Sequence, residues 1–162
     1  MRRRLQGAFR VLIMMAAAAA AAEWRPYENP RFGTYAEVPA SFASEPPPEN
    51  GDGQRFSTPT GGTIAVYGSF DFNGGGLAVY RAFLIETLKG EGWSLTYMPS
   101  GADWFVLSGV RGAEILYHRG EQPLGCDGDL FHHIEFRYPA RDKALWAPFV
   151  EHGAASLDGP CG

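Results

Sequence analysis

The chain has few of the features that announce a chemistry. Gly74-Gly75-Gly76 has neither the GxGxxG spacing of a dinucleotide site nor the Lys-Ser/Thr ending of a P-loop, so no cofactor is expected. Ser108 precedes Gly109 but does not sit in a G-x-S-x-G elbow, which removes the usual signature of a serine hydrolase. Outside the N-terminal residues there is no low-complexity segment, heptad or internal repeat, and the length suits one domain with one core. Cationic charge is also scarce. The 14 Lys+Arg include four arginines within residues 1–22, so the remainder holds ten against 18 Asp+Glu, a net charge of −8. A domain of that sign has no long-range attraction for nucleic acid or for an anionic membrane.

Cysteine is limited to Cys126 and Cys161. In an oxidising compartment the two are natural partners, and their bridge would tie the C-terminal residues back to the loop before the last strand. A thiol nucleophile is the alternative, but nothing around either residue resembles a papain or thioredoxin motif. The oxidising compartment follows from the N-terminus. Arg2, Arg3, Arg4 and Arg10 precede an apolar stretch from Val11, which closes on Ala20-Ala21-Ala22. This is the layout of a secretory signal peptide over residues 1–22, cleaved before Glu23 and exported by the general rather than the twin-arginine route. The run is too short and too alanine-rich for a membrane anchor, which needs about 20 apolar residues. The expected organisation is a signal peptide at 1–22 and a single α+β domain at 23–162.

The rest is organised around Pro46 to Phe72. Pro46, Pro47 and Pro48 fix φ and remove donors, so that stretch is extended and outside any sheet. Asn50-Gly51 and Asp52-Gly53 tolerate the positive φ of tight turns. Gln54 to Thr58 then reads as a short strand, Pro59 to Gly62 as a turn, and Thr63 to Phe70 as a strand. In that strand Ile64, Val66 and Gly68 face one way and Ala65, Tyr67 and Ser69 the other. Glu49, Asn50 and Asp52 carry oxygen ligands suited to a hard cation. An EF-hand register from Asn50, however, puts Gly61 where the bidentate glutamate belongs, and the turn reading is preferred.

Flanking elements follow from period and punctuation. Trp24 to Tyr27 and Thr34 to Val38 read as strands around Asn29-Pro30-Arg31-Phe32-Gly33. After a glycine-rich turn that Asp71 or Asn73 can cap, Leu77 to Lys89 reads as a helix. Its stripe is Leu77, Tyr80, Leu84 and Leu88, widened by Val79 and Phe83. Strands are expected at Ser94 to Met98, Ala102 to Val110, Ala113 to His118 and Asp129 to Tyr138. Pro139 then opens a helical segment that restarts at Pro148. The sum is an α+β fold, an antiparallel β-sheet with helices packed on it.

This element order resembles the PsbP-like extrinsic-protein fold, and the resemblance implies a sheet sandwiched by helices. At residue level the chain resembles a family of small exported bacterial proteins without assigned function. The shared residues are Tyr27-x-Asn29-x-Arg31-Phe32-Gly33, Pro47-Pro48-Glu49-Asn50-Gly51-Asp52-Gly53, Trp104-Phe105-x-x-Ser108-Gly109 and Tyr138-Pro139. The cysteine pair departs from that pattern. These motifs imply no activity.

The best metal constellation is Asp127, Asp129, His132 and His133, since imidazole and carboxylate suit zinc. Adjacent histidines on a strand point to opposite faces, however, so the set does not converge without a bulge. Parity puts His132 with Leu130, Ile134 and Phe136 in the core. It puts His133 with Glu135 and Arg137, a solvated or half-buried ion pair, where its replacement should matter little. Three functions follow from these readings. The leading one is an exported, periplasmic, non-enzymatic binding or accessory module for an envelope protein or small ligand. A hydrolase or metal enzyme on the His132/His133 strand and a structural envelope component are the others. A shallow groove exposing Trp24, Tyr27 or Trp93 would favour the first.

Overall fold

Alternation of apolar and polar side chains makes most of the regular structure of this chain strand. The computed structural model of the chain describes residues 22–123, 125, 126 and 128–161. All but Ala22 of the expected signal peptide, and Asp127, lie outside the described residues. A hairpin of β1 (Trp24–Glu28) and β2 (Tyr35–Pro39) precedes the main sheet, built from β3 (Ala43–Ser44), β4 (Gly53–Ser57), β5 (Thr63–Phe70), β6 (Ser94–Tyr97), β7 (Trp104–Arg111), β8 (Glu114–Glu121) and β9 (Leu130–Pro139). The order across that sheet is β3-β4-β5-β9-β8-β7-β6, with every neighbouring pair antiparallel. The last strand in sequence is therefore the central one. Helix α1 (Gly76–Gly90) connects β5 to β6, and α2 (Lys143–Ala155) follows β9 after a 3-10 turn at Ala140–Asp142.

Two apolar cores result, one on each face of the sheet. On the first, Ile64 and Val66 of β5 lie opposite Phe136 and Ile134 of β9, beneath Trp146 and Ala154 of α2 and Ala36 and Val38 of β2. On the second, Leu77, Tyr80 and Leu88 of α1 cover Phe105, Leu107, Leu116 and Phe131. This is the antiparallel α+β sandwich that element order implied. The Asp71 carboxylate accepts from the N–H groups of Gly75 and Gly76, so Asp71 rather than Asn73 satisfies the start of α1.

Four sequence expectations are corrected. Val79 and Phe83 are exposed, because the buried stripe of α1 is only as wide as the three strands beneath it; Phe83 packs against Phe72 instead. The C-terminal helix does not restart at Pro148 but runs through it. The carbonyl that Pro148 leaves without a donor belongs to exposed Ala144, where water can replace the lost bond. Strand β8 continues to Glu121, three residues beyond the expected His118, and brings His118 inside the sheet. His133 is fully buried rather than solvated. Its parity was read correctly, but α1 covers that face as well.

Candidate functional site: a polar cleft above a buried histidine chain

Helix α1 covers the sheet over β7, β8 and part of β9 and also contacts β6. Beyond its edge, the same face of β4, β5 and β9 has no helix, and a cleft of about 490 Å³ opens there. That size lies within the range of small-ligand sites. Cross-strand register builds its floor. Arg55 of β4 lies beside Ala65 of β5, which lies beside Glu135 of β9, which lies beside His118 of β8. The short Ala65 side chain leaves a depression between Arg55 and Glu135, with Tyr67 and Arg137 two residues along. Glu135 accepts from Nε of Arg137 at 2.6 Å.

The wall of the cleft is the Pro46–Asp52 segment, and the Asn29–Gly33 turn holds it in place. Asn29 is buried; its Oδ1 accepts from the N–H groups of Arg31 and Phe32, and its Nδ2 donates to the Gly51 carbonyl at 2.9 Å. Arg31 donates to the Asn50 carbonyl and pairs with Asp52. The N–H of Gly51 donates back to the Pro48 carbonyl, closing a turn in which Gly51 has φ 69°. The Asp52 carboxylate is thus held by Arg31 and Asn50, the arrangement of a turn rather than of a cation loop with Glu49. Two sequence motifs that looked independent form one contact.

A chain of buried polar groups runs inward from the floor. His118 Nδ1 lies 3.7 Å from a Glu135 carboxylate oxygen. His118 Nε2 is 3.2 Å from His133 Nδ1, and His133 Nε2 is 2.9 Å from Ser69 Oγ, which donates to the Tyr80 hydroxyl. The chain ends in His118 Nδ1, which is aimed at Glu135. Tyr67 stacks on His133 at 4.7 Å and sets its hydroxyl 3.4 Å from His118 Nε2. Burial lowers the pKa of both histidines. Glu135 works against that shift at His118 and Arg137 adds to it, while His118 and His132 lower His133 further. Burial also raises the Tyr67 phenol well above its ordinary value. His118 and Tyr67 were not singled out in the sequence; His118 could have been found by aligning β8 against Glu135.

The metal candidates do not meet. His132 lies on the opposite face from His133, where Thr34 Oγ1 approaches Nδ1 at 2.7 Å and Nε2 donates to the Pro160 carbonyl at 2.8 Å. Those bonds fix a neutral tautomer with its proton on Nε2, and burial lowers the pKa. Asp129 is exposed at the start of β9. Among the described residues no group of three His, Cys, Asp or Glu side chains is placed to hold a metal ion. Cys126 and Cys161 are bridged, which fastens the tail that carries Pro160. Ser108 donates to the Leu116 carbonyl across the β7–β8 pair.

The anticipated aromatic groove is not formed. Trp24 stacks on His152 of α2, Tyr27 packs edge-on against Phe56, and Trp93 is buried between the guanidinium groups of Arg111 and Arg137. Each aromatic found its own neighbour, and the polar cleft stands where no element covers the sheet.

No protein-family model matches the sequence, so the Tyr27-to-Gly33 and Pro47-to-Gly53 motifs stand without a family assignment. No curated protein matches it either. Solved structures do match in fold. The solution structure of cyanobacterial PsbP from Synechocystis sp. PCC 6803 superposes with a TM-score of 0.65 at 9% identity, over 91% of this chain and 99% of that one. The Ran-binding protein Mog1p of Saccharomyces cerevisiae superposes with a TM-score of 0.58 at 11% identity, over 86% of this chain and 96% of its own. The chain therefore has a PsbP/Mog1-like fold. Among the described residues no helix is long and apolar enough to cross a membrane.

Proposed function

We propose that this protein is an exported, non-enzymatic accessory module that holds a partner segment or a small ligand in the cleft beneath the Pro46–Asp52 wall. The observation that carries this reading is the cleft itself. It has the volume of a ligand site, a rigid three-strand floor, and a wall fastened by a buried asparagine. Among the described residues its lining includes no serine, cysteine or histidine side chain, so a serine or thiol hydrolase lacks its nucleophile there, and the Asp52 and Glu135 carboxylates are engaged by Arg31 and Arg137. The two histidines behind the floor are engaged with each other and with Ser69. The signal-peptide pattern of residues 1–22 and the Cys126–Cys161 bridge support an oxidising destination such as the periplasm. The Ran-binding description of Mog1p supports recognition of a protein by this fold.

The test is site-directed photo-crosslinking in an envelope fraction. A crosslinker at Pro48, on the wall, is expected to give a discrete adduct that disappears when Arg55 and Arg137 are both replaced by glutamine. A crosslinker at exposed Leu145, on α2 across the sheet, is expected to give none. Equal adducts from both positions would contradict the proposal.

A further inference from the structure

The floor of the cleft carries two guanidinium groups whose hydrogen-bonding capacity is largely unused. Only Nε of Arg137 is engaged, by Glu135, and its Nη groups have no acceptor among the described residues. The Arg55 side chain has neither a hydrogen bond nor an ion pair among them and is exposed. Register places the two arginines on either side of Ala65, Arg55 directly beside it and Arg137 on the diagonal. Planar forks with free Nη donors across a small depression suit a carboxylate or a phosphate, and with Glu45, Asp52 and Glu135 lining the same cleft the singly charged carboxylate is the better match. Resting on the binding reading above, we infer that the cleft binds a carboxylate group through Arg137 and Arg55, and that binding carries one proton onto His118.

The coupling follows from where the charges sit. Glu135 neutralises Arg137. An entering carboxylate competes for that guanidinium and leaves Glu135 with half its pairing. The next available partner is His118, whose Nδ1 already faces Glu135 at 3.7 Å. A proton taken from solvent onto the neutral imidazole gives an imidazolium–carboxylate pair, so one negative ligand and one positive proton enter together and the net charge of the site is unchanged. The groups facing His118 agree with this assignment. They are Tyr67 from β5 and His133, Glu135 and Arg137 from β9, with Tyr80 of α1 beyond His133; β7 contributes only Phe105 and Leu107. Of these, Glu135 alone is anionic at neutral pH. Burial depresses the pKa of His118, so the proton is absent until the ligand frees Glu135.

Carboxylates come as small acids or as the C-terminus of a peptide, and the experiment separates these sources. Titration calorimetry of the purified protein would use acetate, succinate, tri-alanine and tri-alanine amide. Each is measured at pH 7.5 and pH 6.5, at constant ionic strength, in two buffers of different ionisation enthalpy. All the carboxylates stay ionised across that window. Binding of the three carboxylates but not of the amide is expected, with affinity about tenfold higher at pH 6.5 than at pH 7.5 and close to one proton taken up. Tighter binding of tri-alanine than of succinate marks a peptide terminus, and the reverse order marks a small acid; either agrees with the inference. Arg137→Gln should weaken binding at least tenfold, and Arg55→Gln, at an exposed side chain, should weaken it with the melting temperature little changed. His118→Gln should weaken binding more at pH 6.5 than at pH 7.5 and so abolish the pH dependence; Glu135→Gln, nearer the surface, should abolish proton uptake if His118→Gln does not fold. Binding of the amide as tightly as the acid, or unaltered affinity in Arg137→Gln, overturns the inference while leaving a binding cleft. No binding of any carboxylate overturns it too, and the adduct at Pro48 then decides the broader reading separately.

Discussion

Single buried polar residues set the stability and its pH dependence. His118, His132 and His133 are all held neutral by burial, with pKa values below that of a free imidazole. The unfolded chain binds protons at these positions from about pH 6.5 downward, and the folded chain does so only at lower pH. Their contribution is therefore complete above about pH 6.5 and is lost as pH falls through the depressed folded values. Urea midpoints measured from pH 8 to pH 5.5 should be level at first and then decline below about 6.5; a flat profile to pH 5.5 would contradict this. Replacing either His132 or His133 by alanine should lower stability by roughly 1–3 kcal/mol, since each leaves buried partners without a hydrogen bond. Asn29→Ala removes the anchor of the cleft wall and should cost a similar amount, with faster amide exchange at Gly51 and its neighbours as the specific sign.

At the scale of elements, the glycine near the end of β8 is a requirement of packing. A β-carbon on Gly120 would lie 2.4 Å from the Phe105 ring and 3.1 Å from His133 Nδ1. Gly120→Ala should therefore destabilise the fold by about 1–3 kcal/mol through overpacking, read as a lower midpoint in chemical denaturation. The elements also show what a sequence can reveal. The strands at Trp24 to Tyr27 and Thr63 to Phe70 and the facing of Ile64 and Val66 were legible because side chains on a half-buried strand alternate with period two. The α1 stripe was legible from Leu77, Tyr80 and Leu88, yet Val79 and Phe83 were not separable from it, because periodicity gives direction and not the width of the surface beneath. Coverage was the blind spot. Parity correctly grouped His133 with Glu135 and Arg137, but which face a helix would bury depends on non-local packing. The two-residue β3 had no pattern to detect, and the cleft itself is an uncovered area, a property of the assembled sheet.

The whole molecule is closed by its single covalent crosslink. Cys126 and Cys161 are 35 residues apart in sequence, and the bridge holds the segment from Asp158 to Pro160 against Tyr35 and His132. Constraining the unfolded chain over such a loop is worth about 2–4 kcal/mol. Reduction, or replacement of both cysteines by serine, should lower stability by that amount and raise the exposure of His132 to chemical modification. The larger claim concerns the division of labour across the sheet. One face is sealed by α2 and the β1–β2 hairpin; the other is sealed by α1 only in part, and the remainder presents Arg55, Tyr67, Glu135 and Arg137. The most direct test is amide hydrogen exchange of the protein with and without the partner identified by crosslinking at Pro48. Protection confined to residues 45–55, 65–67 and 135–137 is the result this account predicts. Protection centred on α2 or on the β6–β7 edge, with the cleft unchanged, would contradict it.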